Sequence, residues 1–177
     1  MKNFKLRWCK KCILPNTRPN LKIDNEGVCS VCNIKQKKIN WKIKKAKLVK
    51  ILNKIKKTSN TNYDCVIPVS GGKDSYWQIL TALKFGLRPL AVTWKPGGRN
   101  KLGETNLKNL INLGVDHIDY TVNPKIESYF MLKALKKFGS IGIPMHLAIF
   151  SITYKIAILF KIPLIIWGEN PSAEYGY

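Results

Sequence analysis

Acidic side chains and arginine are both scarce in this sequence. Ten Asp and Glu stand against 31 Lys and Arg, a net charge of +21, yet only Arg7, Arg18, Arg88 and Arg99 carry guanidinium groups. A strongly basic balance favours phosphate-rich or nucleic-acid partners. Arginine, however, is the preferred side chain for bidentate phosphate and base recognition. Lys, Ile and Asn are abundant together, as AT-rich coding would make them, so the charge by itself selects no partner. Histidine is limited to His117 and His146, and no cysteine follows Cys65; no Cys–His pair for nucleophilic catalysis is visible. No apolar run reaches the roughly 18 residues of a membrane-spanning helix. The opening MKNFKLRWCKKC has no apolar signal core. These absences predict a cytoplasmic protein that uses no membrane.

What is present separates into three zones. Residues 1–36 hold four of the five cysteines among turn-formers such as Pro15, Pro19, Asn25 and Gly27, which reads as a small module with little core of its own. Residues 37–60 form a lysine-dense helix, with Trp41, Leu48, Leu52 and Ile55 close to one stripe, followed by a polar linker. Its charge run reads as a solvated helix face rather than a dedicated anion surface. Residues 61–177 alternate. DCVIPV, RPLAVTW, DHIDYTV and IPLIIW read as strands, separated by helices over Ser75–Lys84, Glu104–Gly114, Lys125–Phe138 and Leu147–Phe160. Regular alternation predicts parallel strands with crossover helices, an α/β layered fold. Pro68 fits poorly inside a central strand.

Cys9, Cys12, Cys29 and Cys32 give two C-x2-C knuckles with sixteen residues between them. Each knuckle turns two thiolates toward one ion, and two supply the tetrahedral sulfur set of a structural zinc. Disulfides and an iron–sulfur cluster are the alternatives, the first disfavoured by a reducing compartment. Four thiolates leave no open position for water, so this zinc holds a fold together and does not catalyse. Cys65, inside the first strand, reads as a buried small hydrophobe.

The segment SGGKDS, Ser70 to Ser75, follows the first strand and opens a helix. A Walker A loop would need Ser or Thr in place of Asp74 and a glycine in place of Ile67. A dinucleotide fingerprint would need Gly-x-Gly spacing, whereas Gly71 and Gly72 are adjacent. Two glycines still let backbone approach a ligand, and the helix start aims free N–H groups at the same point. Lys73 adds a mobile cation, and Ser70 and Ser75 add hydroxyls. Asp74 would repel phosphate unless Mg²⁺ or a backbone N–H takes up its charge. The plain alternative is a glycine turn with Asp or Ser capping a helix.

In this setting SGGKDS resembles the PP-loop of the ATP pyrophosphatase superfamily. Together with WCKKCILPNTRP, DNEGVCSVC, YDCVIPVSGGKDSYWQ and IPLIIWGENPSAEYG, it looks like the N-acetyl sugar amidotransferases of lipopolysaccharide and surface-polysaccharide biosynthesis. The resemblance runs nearly end to end. It implies a zinc-ribbon module ahead of a Rossmann-like, adenine nucleotide alpha hydrolase-like parallel-sheet domain. It also implies a C-terminal part missing after Tyr177. The implied chemistry is adenylation, by ATP with Mg²⁺, of an acetamido oxygen on a nucleotide-activated N-acetyl sugar, followed by displacement of AMP by ammonia.

On that resemblance Ser70, Gly71, Gly72, Lys73, Asp74 and Ser75 hold the phosphates, with Lys73 and Asp74 catalytic and Asp74 on Mg²⁺. Thr93 ends the strand where the superfamily places adenine, although the neighbouring Trp94 reads rather as core. Gly168 allows close approach of substrate at the carboxyl edge of the sheet. Glu169 is the third catalytic candidate, with Glu174, Asn170 and Tyr175 behind it. The expected partners are an ammonia-supplying glutaminase and its barrel-type subunit. Two alternatives remain. A tRNA-thiolating PP-loop enzyme is favoured by the charge but lacks later cysteines. A non-catalytic zinc-ribbon fragment that binds nucleic acid would leave the PP-loop unused.

Overall fold

A computed structural model describes residues 5–33 and 40–169. The chain divides into two compact units, one reaching to Ile43 and the other running from Lys44 to Asn170.

The first unit is organised around its cysteines. Antiparallel bridges join Trp8 to Pro15 and Ile23 to Cys29, and one short helix follows, α1 (Ser30–Asn33). Its core is only Cys9, Leu21, Val28 and Cys29, with Leu14, Ile23 and Cys32 packed alongside. So few apolar groups cannot offset the cost of ordering the chain, and a module of this size needs a staple.

The second unit contains α2 (Trp41–Thr58), β1 (Cys65–Pro68), α3 (Lys73–Lys84), β2 (Pro89–Trp94), α4 (Lys101–Ile111), β3 (Asp116–Tyr120), α5 (Pro124–Phe138) and α6 (Gly142–Leu159), with the first residues of α2 lying across the division. β1, β2 and β3 form a parallel sheet in that order. IPLIIW, expected as a full strand, makes only a single parallel bridge between Ile165 and Val66. Two backbone hydrogen bonds flank it, Val66 N to Leu164 O at 2.9 Å and Ile166 N to Val66 O at 3.0 Å. This segment lies on the side of β1 away from β2. Pro68 is tolerated because it occupies the last rung of β1, and Val69 resumes pairing by donating to Val92 O at 2.8 Å.

The period of two along the strands sorts side chains into two cores. Cys65, Ile67, Val69 and Ala91 pack with Leu52 of α2, Ile79 and Ala82 of α3 and Leu107 and Leu110 of α4. Val66, Leu90 and Val92 pack on the other face with Ile152, Ile156 and Ala157 of α6. Helices therefore cover both faces, as a parallel sheet requires. The chain steps outward from β1 through β2 to β3, then returns to the far side of β1. The carboxyl end of β1 is thus the switch point where open α/β sheets bind ligands.

From α3 onward the helices begin earlier than the sequence pattern predicts, α4 and α6 by the most. The Asn100 side chain accepts from Gly103 N at 2.8 Å and starts α4 at Lys101. The segment expected as a loop before Leu147 is the first turn of α6, where Pro144 is acceptable because the first-turn N–H groups have no partner to lose. With that addition α6 is long and apolar enough, by length and composition, to cross a membrane, against the expectation of no such run. Its Ile152, Thr153, Ile156 and Ala157 are nevertheless buried within the second unit.

Candidate functional site

At the end of β1 the chain turns sharply into α3. Gly71 has φ +81°, and a side chain there would place its Cβ 3.1 Å from the backbone N of Leu107 and 3.4 Å from Gly103 O. Glycine is thus demanded twice, by its left-handed conformation and by the seat against α4. Gly72 is the N-cap of α3 and makes no side-chain cap hydrogen bond. Ser75, buried, turns its hydroxyl back to Gly72 O at 3.0 Å, and Tyr76 N donates to the same carbonyl at 3.1 Å. With no side-chain cap, the amides at the mouth of α3 and the positive end of its dipole form an arrangement that can hold an anion.

Lys73 and Asp74 stand in solvent at that mouth. Lys73 Nζ meets both Asp74 carboxylate oxygens, at 2.8 and 2.9 Å, with both side chains more than three-quarters exposed. Asp74 is therefore not the helix cap; its carboxylate is paired with a mobile cation in water, a contact of little energetic weight that phosphate or a metal ion would readily displace. Beside the loop runs an open cleft of about 700 Å³, lined by Gly71, Gly72, Lys73, Tyr76, Asn106 and Asn109 among others.

Gly168 comes to the same helix. A Cβ on it would lie 3.3 Å from the Gln78 carboxamide, and Gln78 is one helical turn beyond Asp74 on α3. Glu169 follows in solvent. Asn170, Glu174 and Tyr175 lie outside the described residues.

Thr93 is buried, and its hydroxyl donates to Val69 O at 2.8 Å. Its one proton being spent there, the 2.8 Å contact with His117 Nε2 requires the imidazole to donate. Burial holds His117 below the ordinary histidine range, so the ring is neutral at pH 7, with Nε2 protonated and Nδ1 a bare acceptor. The sequence offered no partner for His117; the pairing depends on the β2–β3 register, which sets Ala91 opposite it. Equally hidden in the sequence was the two-pronged ion pair of Arg99 with Asp119, both contacts at 2.7 Å, which ties the loop after β2 to β3. Trp94 packs half-buried on the opposite core, and its indole Nε1 has no partner among the described residues.

In the first unit the four cysteine sulfurs lie within 4.8 Å of one another. Cys9 and Cys32 are 3.9 Å apart and Cys12 and Cys29 3.5 Å, near the roughly 3.8 Å edge of a tetrahedron built on zinc–sulfur bonds. Backbone N–H groups of Lys11 and Cys29 point at Cys9 Sγ, at 3.4 and 3.3 Å. Burial pushes the Cys9 thiol up, but backbone donors, that of Cys29 foremost, outweigh it and bring it down to about 6. The donor set fits zinc. Cys65 is a different case: burial lifts its thiol to about 12 and leaves it inert.

No family model and no curated protein matches this chain. Solved structures do. NMN synthetase from Francisella tularensis aligns with a TM-score of 0.56 at 22% identity, over 78% of this chain and 59% of that one. An NH3-dependent NAD synthetase from Campylobacter jejuni, in complex with the nitrate ion, aligns with a TM-score of 0.57 at 21% identity, over 78% and 61%. The fold is thus like that of these NMN and NAD synthetases. The chain spans about three-fifths of the length of each of these enzymes. Its α/β class and its N-terminal cluster of four cysteines are as the sequence led one to expect.

Proposed function

We propose that the chain is an ATP-using amidotransferase that adenylates the acetamido oxygen of a nucleotide-activated sugar and replaces that oxygen with ammonia. The observation that carries the ATP half is the mouth of α3: a left-handed Gly71 seated on α4, an uncapped helix start, and Lys73 and Asp74 free to exchange partners. The likeness in fold to an NH3-dependent synthetase supports ammonia as the second substrate. The sugar rests on the sequence resemblance.

In this reading the acetamido oxygen attacks the α-phosphorus and the bond to the bridging oxygen breaks. The α3 amides and Lys73 take up the charge on the departing pyrophosphate, while Asp74 holds Mg²⁺. Ammonia then adds to the activated carbon, AMP departs with the former amide oxygen, and an acetamidino group remains. Gly168 admits the sugar beside Gln78, with Glu169 next to it. Because Cys65 is buried with its thiol raised and His117 is committed to Thr93, neither can release ammonia from glutamine. A glutaminase, with its barrel-type subunit, is the proposed supplier.

The test follows labelled ATP with Mg²⁺ and ammonium, scoring AMP and pyrophosphate, with acetamido-bearing nucleotide sugars in one set of reactions and bulk tRNA in another. Sugar-dependent AMP is expected. The +21 charge favours tRNA as the competing acceptor, and AMP formed only with tRNA would assign the chain to RNA modification. Asp74→Asn should weaken the Mg²⁺ dependence of AMP formation; an unchanged dependence would remove Asp74 from the metal.

A further inference from the structure

We infer that the outer face of α5 and α6 docks on an anionic lipid surface. One side of α6 packs within the second unit through Ile152, Thr153, Ile156 and Ala157. Its outward side is apolar as well: Ile143, Leu147, Phe150, Tyr154 and Ile158 recur at helical spacing and are 42% to 75% exposed, with Phe150 and Tyr154 also meeting the Trp167 ring at 4.7 and 6.1 Å between centroids. Beside it α5 buries only Ala134, and Tyr129, Phe130, Leu132 and Phe138, which point to different sides of that helix, are at least half exposed. Soluble surfaces scatter such residues singly; the five along α6 fall on one stripe, and a stripe of that length marks something to be covered.

The charges choose the occupant. Lys133 Nζ lies 4.6 Å from the Tyr129 ring centre and Lys137 Nζ 5.2 Å from that of Phe138, so cations are interleaved with the exposed rings. Glu127 is the only acid in α5 and α6. A second copy of this chain would bring like-charged lysines together in a drying interface. A bilayer asks for the opposite arrangement. Rings and aliphatic groups enter the acyl boundary while lysine stems reach back to anionic headgroups, and a chain of +21 is drawn to that surface. The expectation of no membrane contact rested on run lengths in the sequence and not on which side of a helix is covered.

The test is co-sedimentation of the whole chain with phosphatidylcholine vesicles, with and without phosphatidylglycerol, alongside analytical ultracentrifugation. Binding should require phosphatidylglycerol and weaken as salt rises. Leu147→Glu with Ile158→Glu should weaken it by about tenfold or more with an unchanged melting transition, because both side chains already face water. Lys50→Gln with Lys54→Gln, which removes two charges from α2 instead, should leave affinity within about twofold. The proposal is overturned if the glutamate variant binds like wild type, or if the lysine variant loses as much. It also fails if the chain ignores the vesicles and sediments as a dimer that Leu147→Glu dissociates, which would make the face a contact between copies.

Discussion

At the residue scale, the most constrained position is Gly71. Alanine there must adopt φ near +81° and also press a methyl against the Leu107 backbone. We expect Gly71→Ala to weaken ATP binding by more than about tenfold and to cost on the order of 1–2 kcal/mol in stability. Isothermal titration and thermal melting read the two effects separately. Retained nucleotide affinity with lowered stability would place the ligand away from the loop. Asp64 offers a pH signature. It is buried and accepts from Arg88 through the backbone N, Nε and a terminal guanidinium nitrogen. The Arg88 guanidinium holds its carboxyl below the usual aspartate range against the opposing effect of burial. A carboxyl lowered on folding adds stability above its unfolded value, near 3.9, and that contribution disappears as pH falls through the folded one. Asp64→Asn should therefore lower urea stability by about 2 kcal/mol at neutral pH, and the difference from wild type should shrink below about pH 4.

At the element scale, what could be read from the sequence and what could not have separate physical causes. The cysteine knuckles and the loop opening α3 depend on residues close in the chain, so their spacing carries the geometry. Strand identity for β1, β2 and β3 came from local apolar patterning. The starts of α4 and α6 were placed too late because an asparagine cap at Asn100 and a first-turn Pro144 look like loop residues until the helix behind them is seen. Thr93–His117 and Arg99–Asp119 were illegible, since both join residues about twenty positions apart and are created by the pairing of β2 with β3. The helix expected over the lysine-dense segment is α2, and of the apolar stripe along it Leu52 is buried while Trp41 and Leu48 are exposed. A prediction at this scale concerns the cysteine module. Cys29→Ser, or a strong chelator, should remove a single bound zinc and make the segment around residues 5–33 a preferred protease target, because its four-residue core cannot hold it. Metal analysis with limited proteolysis reads both, and resistance without zinc would give the role to packing.

At the scale of the whole molecule, the order in which the sheet is completed matters. β1 carries the glycine loop, and among the described residues one of its edges is closed only by Leu164–Ile166, about a hundred residues later in the chain, a contact of the slowest-forming kind. During synthesis β2 and β3 can pair as they emerge, but the outer edge of β1 stays bare until α5 and α6 have been made. Such an edge invites strand addition from another chain. Ending the chain at Leu159 should therefore yield aggregates rather than a smaller soluble domain, whereas ending it at Glu169 should not; light scattering on the two products compares them. The strand that presents the glycine loop is among the first of the sheet to be synthesised and the last to be closed on both sides, so the candidate ATP site would mature only late in biogenesis.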